Sequence, residues 1–533
     1  MNLLSEIFLG EEKIFSRKVL IFHATLILTS ILFVMIFSYS TSPLYNLLGG
    51  DSALFQVVGK YWYEGYLPYV NVFDHKGSLI FFINMVGYAI HPRTGMIVLQ
   101  TISLYLSCLL VWRAISLYSS SPWKIFFLIV MLIFYAAHYE EGNHVEEYTV
   151  LFLSAATYCF LRSLKENTFP PLCGFVYGLG LGACLLIRLS DAAQICCQIF
   201  LTAIFLLQNK EFKILQQNFL SLCAGFMIIV LPCVIYFAAH GILYDMLYGT
   251  ILYNLKYTGV SSFTLPPKYS KIYKLFHLLP IYTMIIVAII SLKQNHSNKL
   301  SQSVLFIGIA MLSLLISFRT YLHYMMLFFP ISPFLFVILS DNNVHLQKIW
   351  NSPKFSLKRV LIKILIFFAV IHLCTLVFFL KIFLMREKNS VYFLFPAYGF
   401  YEEFTNSNEQ KNISDLAKFI PENERESFVC WGAWNTGAHW ILRTNMKPRE
   451  RFFMNNGLLM KIDPKIREEF FSNLRRNYPL WIIYGTTLNR KISEPPKSLN
   501  EDEEFEHLLA EKYSLKGEVY IFPQMMKLYR LKD

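Results

Sequence analysis

Long apolar runs succeed one another from Val19 to Leu384, separated by short polar stretches, and this pattern constrains the fold more than anything else in the chain. After Val19 to Ser38 they occupy approximately Ile97 to Trp112, Trp123 to His138, Tyr148 to Leu161, Leu172 to Ile187, Ala192 to Leu207, Phe219 to Ala239, Leu275 to Leu292, Ser303 to Phe318, Tyr321 to Leu339 and Val360 to Leu384. In lipid the backbone must satisfy its own polar groups, so such runs become helices. Charged residues make up only 16% of the 533 positions, against roughly 25% in soluble domains. The chain is therefore read as an all-α, polytopic membrane protein.

The net charge of +12 does not point to nucleic acid, because the basic residues fall in short clusters between apolar runs, where cytoplasmic loops collect Lys and Arg. Nine of the ten cysteines lie in or beside apolar runs, and only Cys430 lies in the polar C-terminal part, so no disulfide framework is implied. Lys13, Arg17 and Lys18 precede the first run, and no small-residue cleavage site follows it. The run reads as a retained signal anchor with a cytoplasmic N-terminus.

One further apolar run, Leu79 to Ile90, covers only about 18 Å of a hydrocarbon core about 30 Å thick. Counting back from the basic loop at Lys348 to Lys363, the basic loops all fall inside with about eleven crossings only if this short run dips without crossing. The same count puts five loops on one outer face: residues 39–78, His138 to Glu147, Arg188 to Asp191, His240 to Lys274, and Arg319 to His323. Leu54, Val57, Val58 and Tyr61 recur at helical spacing, which predicts an amphipathic helix along the surface with Asp51 as its N-cap.

Those loops carry the residues able to do chemistry. Asp51 suits proton abstraction from a hydroxyl; Asp74 suits orienting a nucleophile or holding a divalent cation; Lys76, where the loop re-enters the membrane, suits a lipid phosphate. Each also has a plain reading: Asp51 as a cap, Lys76 as a residue reaching for headgroups. Arg319 and His323 share a helical face and either hold a phosphate or flank a turn. Arg188 and Asp191 read equally as donor binding or a local ion pair. Glu146, Glu147 and His75 are weaker candidates for acceptor hydroxyls or a cation, the two glutamates also reading as caps. Lys256 lies in a tyrosine-rich loop that suits a membrane interface. His138 and His144 flank carboxylates without a fixed metal-ligand spacing, so no zinc site is expected.

From about Arg386 the composition becomes that of a soluble domain. Ser427 to Trp431, Leu480 to Tyr484 and Val519 to Phe522 read as strands, and Asp463 to Arg476 and Glu501 to Tyr513 as helices, predicting a small α/β domain. Trp431 to Asn435 reads either as a sugar-stacking segment or as a strand followed by a Gly turn.

An acidic residue in a first external loop, followed by an aromatic-acidic-x-Lys segment opening the next apolar run, resembles the GT-C glycosyltransferases that use polyprenyl-phosphate sugars. The likeness is to the group related to protein O-mannosyltransferases and aminoarabinose transferases. Asp51 matches the first position, and Phe73, Asp74 and Lys76 the second; Gly77-Ser78 stands where two prolines are common, and Asp74 where Glu is common. Less specifically, the resemblance extends to Gly142-Asn143, Glu146-Glu147-Tyr148, Arg188, Arg319 to Tyr324 and the C-terminal domain. It implies a GT-C helical bundle over residues 1–385, with residues 39–78 as its catalytic loop, and an extracytoplasmic α/β domain over 386–533. It also implies that Asp51 is the catalytic acidic residue, Asp74 its partner, Lys76 a contact to donor phosphate, and Lys256 a second candidate for that contact.

The activity implied is inverting hexosyl or pentosyl transfer from a polyprenyl-phosphate donor to an extracytoplasmic hydroxyl of a cell-envelope glycan, lipid or protein, in a bacterial inner membrane. No cofactor is required by the pattern, though the acidic residues leave room for Mg or Mn. A transporter or flippase of a lipid-linked sugar, or an oligosaccharide ligase or polymerase of related fold, is the alternative.

Overall fold

The computed structural model describes residues 16–120, 122–258, 278–294, 298–317, 322–340, 409–432, 436–453, 456–487, 502–521 and 524–533. The run Val360 to Leu384 and the boundary near Arg386 lie outside these residues, as does Arg319.

The apolar runs are helices: α1 (Arg17–Phe37), then, after the first loop with α2 (Asp51–Tyr63) and α3 (Ser78–Ile90), α4 (Gly95–Ser116), α5 (Trp123–Ala137), α6 (Val145–Glu166), α7 (Pro171–Ile187), α8 (Ala193–Gln208) and α9 (Phe212–Ala239). The short α10 (Leu243–Leu247), a π-turn at Tyr248–Leu252 and α11 (Tyr253–Thr258) follow, then α12 (Leu279–Gln294), α13 (Lys299–Ser317), a 3₁₀ turn at Leu322–Leu327 and α14 (Phe328–Ser340). Four stretches among the described residues are long and apolar enough to cross a membrane: α1, α4, Leu189–Gln208 and α9. Leu20, Ile21, Leu28 and Leu32 on α1, and Phe219, Leu220, Ile228 and Ile235 on α9, are exposed. In water such stripes would be a liability; here they are the surface that meets lipid. The protein is an integral membrane protein.

Successive long helices run up and down. Near the end of α1, Thr41 Oγ1 donates to Gln100 Oε1 at the start of α4 (2.7 Å), while near its beginning Phe22 packs on Trp112 at the end of α4. Helix α3, with 13 residues, does not follow this rule. Its first turn adjoins Gly77, whose N–H donates to Ile187 O (3.2 Å), and just past its last turn Arg93 donates to Asn46 Oδ1 (3.0 Å) and to Tyr45 O (2.5 Å) in the first loop. Both ends of α3 therefore sit at the face that carries Asp51.

The C-terminal region contains α15 (Glu409–Ala417), β1 (Phe428–Gly432), α16 (Thr436–Thr444), α17 (Asn456–Ile462), α18 (Pro464–Arg476), β2 (Trp481–Thr487), α19 (Glu503–Lys512), β3 (Tyr513–Ile521) and β4 (Gln524–Leu531). Its sheet has the order β1-β2-β4-β3, with β1 parallel to β2 and the other pairs antiparallel. Asp463 caps α18 by accepting from Lys465 N (3.1 Å), and Asp502 caps α19 by accepting from Phe505 N (3.1 Å). Strand β4 is additional to the three expected strands; Met526 and Leu528 supply its buried face.

This domain lies on the first loop, and that changes what α2 is. An amphipathic helix with one wet face was expected; instead every residue from Ser52 to Tyr61 is buried. One apolar core runs from Leu54, Phe55, Val57 and Val58 into Trp440, Ile441 and Phe453 of the C-terminal domain. Even Lys60, on the face expected to be wet, is buried and donates to Asn445 Oδ1 (2.8 Å). His439 Nε2 lies 2.6 Å from Gly49 O, and Phe73 N donates to Arg451 O (3.0 Å). The domain is thus built into the loop that holds Asp51.

Candidate functional site

Asp51 is the first residue of α2; Gly50, not Asp51, is the N-cap, and it offers no side chain to close the turn. Closure comes from far along the chain. The Glu141 carboxylate accepts from Gly50 N (2.6 Å) and from Ser52 N (3.0 Å), on either side of Asp51. A carboxylate at a helix N-terminus meets both unpaired N–H groups and the positive end of the dipole. Gly49 has φ +72°, and a Cβ there would come within 2.8 Å of Glu141 Cδ, so the Gly49-Gly50 pair makes room for that glutamate. Burial and, second, the nearby Asp51 charge push the Glu141 pKa up to about 7.

The segment Asp74-His75-Lys76 is held on three sides. Tyr69 Oη donates to Lys76 O (2.9 Å), Asn254 Nδ2 donates to His75 O (2.7 Å), and Gly77 is fastened to the end of α7. A Cβ on Gly77 would fall 2.2 Å from Leu186 O, so the close approach of the two backbones requires glycine there. Asp74 Oδ1 lies 3.2 Å from His75 Nδ1, and Lys76 Nζ lies 3.3 Å from His75 Nε2. His75 packs against the rings of Tyr253 and Tyr257.

Burial alone would discharge Asp74, but Lys76 and then His75 override it and hold its carboxyl well below the usual range. Burial likewise opposes the Lys76 charge; Asp74, followed by Asp51, more than offsets it and raises its pKa. The imidazole of His75 is pushed down by burial and by the adjacent ammonium. At neutral pH this part of the site holds a charged ammonium beside the Asp74 carboxylate.

A second cluster gathers beside it. Arg188 reaches Glu146 Oε1 (2.5 Å) and Asp191 Oδ1 (2.6 Å), and its guanidinium lies over the Tyr324 ring at 4.2 Å. His323 Nδ1 is 3.0 Å from Glu140 Oε2, and its Nε2 is 3.7 Å from Glu146 Oε1. His144 stacks on His323 with ring centroids 4.3 Å apart and planes 13° from parallel. Glu140 is held down at about 2: burial raises it, and His323 more than compensates. Burial, then the adjacent His323, pushes His144 down to about 4. Asp51 lies within electrostatic reach of both groups, acting on Lys76, His75, Glu141 and His144.

Of the residues expected from sequence, Asp51, Asp74, His75 and Lys76 converge with Arg188, Glu146 and His323 at one end of the bundle. Arg188 makes the local pair with Asp191 that was one of its two readings, and adds Glu146. Glu147 closes the first turn of α6 by accepting from His144 N (2.8 Å), and its other oxygen accepts from Gln100 Nε2 (2.8 Å) and Tyr139 Oη, so its lone pairs serve the cap. Lys256 points away, to Asp463 of the C-terminal domain, where Tyr248 also donates. Trp431 is buried against Phe470 and Phe505, which excludes it as a sugar platform. His138 is a core histidine on Phe134 O.

Sequence reasoning missed Glu140 and Glu141, and gave His144 no part in the site because no spacing motif contains it. The signal is Glu140 and His144 four apart; the third group, His323, lies too far along the chain for any local pattern to reveal.

Neither a protein-family model nor a curated protein matches the chain. Among solved structures, the crystal structure of ArnT from Cupriavidus metallidurans bound to undecaprenyl phosphate matches with a TM-score of 0.54 and 10% sequence identity, covering 95% of this chain and 98% of that one. The likeness shows a shared fold.

Proposed function

We propose that the chain is an inverting membrane glycosyltransferase that moves one sugar from a polyprenyl-phosphate donor to an acceptor hydroxyl at the face carrying Asp51. One observation carries this reading: an acid, Asp51, and a half-buried cation, Lys76, lie within electrostatic reach of each other on the first loop of a fold shared with a protein solved with undecaprenyl phosphate. The acceptor oxygen attacks the anomeric carbon opposite the phosphate while the bond from that carbon to the phosphate oxygen breaks, which inverts the centre. Asp51 takes the hydroxyl proton, and Lys76 meets the charge left on the departing polyprenyl phosphate.

Asp74 and His75 act as partners that keep Lys76 charged and in place. Glu141 is a positioning residue, since it fixes the first turn of α2 on both sides of Asp51. With Arg188 committed to Glu146 and Asp191, the main phosphate contact falls to Lys76. The distribution of basic loops supports a face outside a bacterial inner membrane and a cytoplasmic N-terminus. The acceptor is then a glycan, lipid or protein of the envelope.

The test is to incubate purified protein with an undecaprenyl-phosphate-linked sugar, with and without a candidate acceptor hydroxyl. Acceptor-dependent release of undecaprenyl phosphate is expected. Movement of intact donor across a proteoliposome membrane with no bond cleaved would overturn the reading in favour of a transporter.

A further inference from the structure

Tyr69 precedes Lys76 in the first loop, is fully buried, and has φ +69°. The left-handed region is strained for a bulky side chain, so surrounding contacts must hold the residue there. We propose that Tyr69 is the positioning residue for Lys76, carrying the grip of Arg451 in the C-terminal domain through to the peptide from which the ammonium projects. The inference rests on the reading of Lys76 as the phosphate contact.

Two clasps close the loop between Tyr69 and Lys76. The outer one is Arg451: its Nη1 donates to Tyr69 O (2.9 Å), and its carbonyl accepts from Phe73 N (3.0 Å). One residue of the C-terminal domain thus holds both ends of the turn. Arg451 is itself fixed by a two-pronged pair with Glu469 (2.7 and 2.8 Å). Within the turn, Tyr69 N donates to Val72 O (2.7 Å).

The inner clasp is the tyrosine side chain. Its ring packs against Phe81 and Phe237. Its hydroxyl donates to Lys76 O (2.9 Å), which leaves the phenolic oxygen to accept from Thr250 Oγ1 (3.2 Å). A Cβ on Gly249 would come within 2.5 Å of Tyr69 Cδ1, so the π-turn at Tyr248–Leu252 is shaped around this ring. With Lys76 N donating to Asp74 Oδ2 (3.3 Å), the residue is tied through both its N–H and its carbonyl. Lysine carries its charge on a flexible four-carbon stem, so a fixed base is what places the ammonium.

Phenylalanine at this position fills the same core and keeps the backbone bond to Arg451, losing only the hydroxyl. Tyr69→Phe therefore tests position rather than packing. Two readouts on full-length protein in detergent need no transfer: affinity for undecaprenyl phosphate, and the rate at which an amine-reactive reagent labels Lys76, mapped by mass spectrometry. Folded Tyr69→Phe should bind the lipid phosphate about 10-fold more weakly and label several-fold faster. Lys76→Met should also weaken binding, and adding Tyr69→Phe to it should weaken binding no further. Arg451→Gln, which leaves the Tyr69 ring in place, should move both readouts in the same direction. Wild-type binding and labelling in Tyr69→Phe would overturn the proposal, as would losses that add in the double variant or an unshifted Arg451→Gln. The expected shifts in a protein that transfers no sugar would support the proposal and count against the transferase reading alone.

Discussion

Two groups of charged residues share one end of the bundle and are built differently. The first, Asp51 with Asp74, His75 and Lys76, comes from a single loop and centres on an ammonium braced by carboxylates. The second, Glu140, His144, Glu146, Arg188, Asp191 and His323, comes from three separate loops and centres on carboxylates and imidazoles, with its arginine already committed. A half-buried, braced cation suits a phosphate that comes and goes. A guanidinium locked between two buried carboxylates serves the fold. The contrast teaches that the same residue types, a few ångströms apart, divide into chemistry and framework according to whether their charges are spent on one another.

Arg188→Ala probes the framework half and has the largest expected effect. Leaving Glu146 and Asp191 buried without their cation should cost about 3–5 kcal/mol, read as a lowered melting temperature in detergent. Intact stability with abolished transfer would instead move Arg188 into the phosphate-binding group and break the distinction. Lys76→Met probes the other half. It should slow transfer about 100- to 1,000-fold while lowering the melting temperature less than Arg188→Ala does.

The smallest effect concerns how the C-terminal domain sits on the first loop. His439 Nδ1 lies 3.2 Å from Glu409 Oε1, with Arg443 donating to the same oxygen (3.0 Å), while the other His439 nitrogen meets Gly49 O. Burial lowers the His439 pKa, but Glu409 more than offsets it, so the folded value lies above 6.5. A raised histidine contributes stability that is whole below pH 6.5 and is lost as pH rises through the folded value. For Glu409, burial raises the pKa but His439, followed by Arg443, brings it down to about 2, so its contribution fades only in strong acid. The melting temperature should therefore fall as pH rises above 6.5, and Glu409→Gln should flatten that slope. A slope unchanged in Glu409→Gln would remove this contact from the account.

Legibility in the sequence followed the same division. Asp51, Asp74 and Lys76 could be picked out because they are close along the chain and sit beside an apolar run, where a charge is conspicuous. The non-crossing α3 was readable from its length and the distribution of basic loops, which are one-dimensional signals. Glu141 was not readable: capping is normally local, whereas here the residue that closes α2 lies beyond α5. Nor could periodicity show that α2 is buried all round, because it reports the face turned to the bundle and says nothing of a domain laid over the other face. The Glu140, His144 and His323 group depends on two loops meeting, a product of helix packing that no spacing encodes.

The central claim is that Asp51 is the base for transfer, and one substitution tests it most directly. Asp51→Asn keeps the shape of the side chain and leaves the Glu141 cap on Gly50 and Ser52 in place. With an undecaprenyl-phosphate-linked sugar and a competent acceptor, kcat should fall about 100- to 10,000-fold, with donor affinity and melting temperature close to wild type. Transfer at the wild-type rate by folded Asp51→Asn protein would contradict the account.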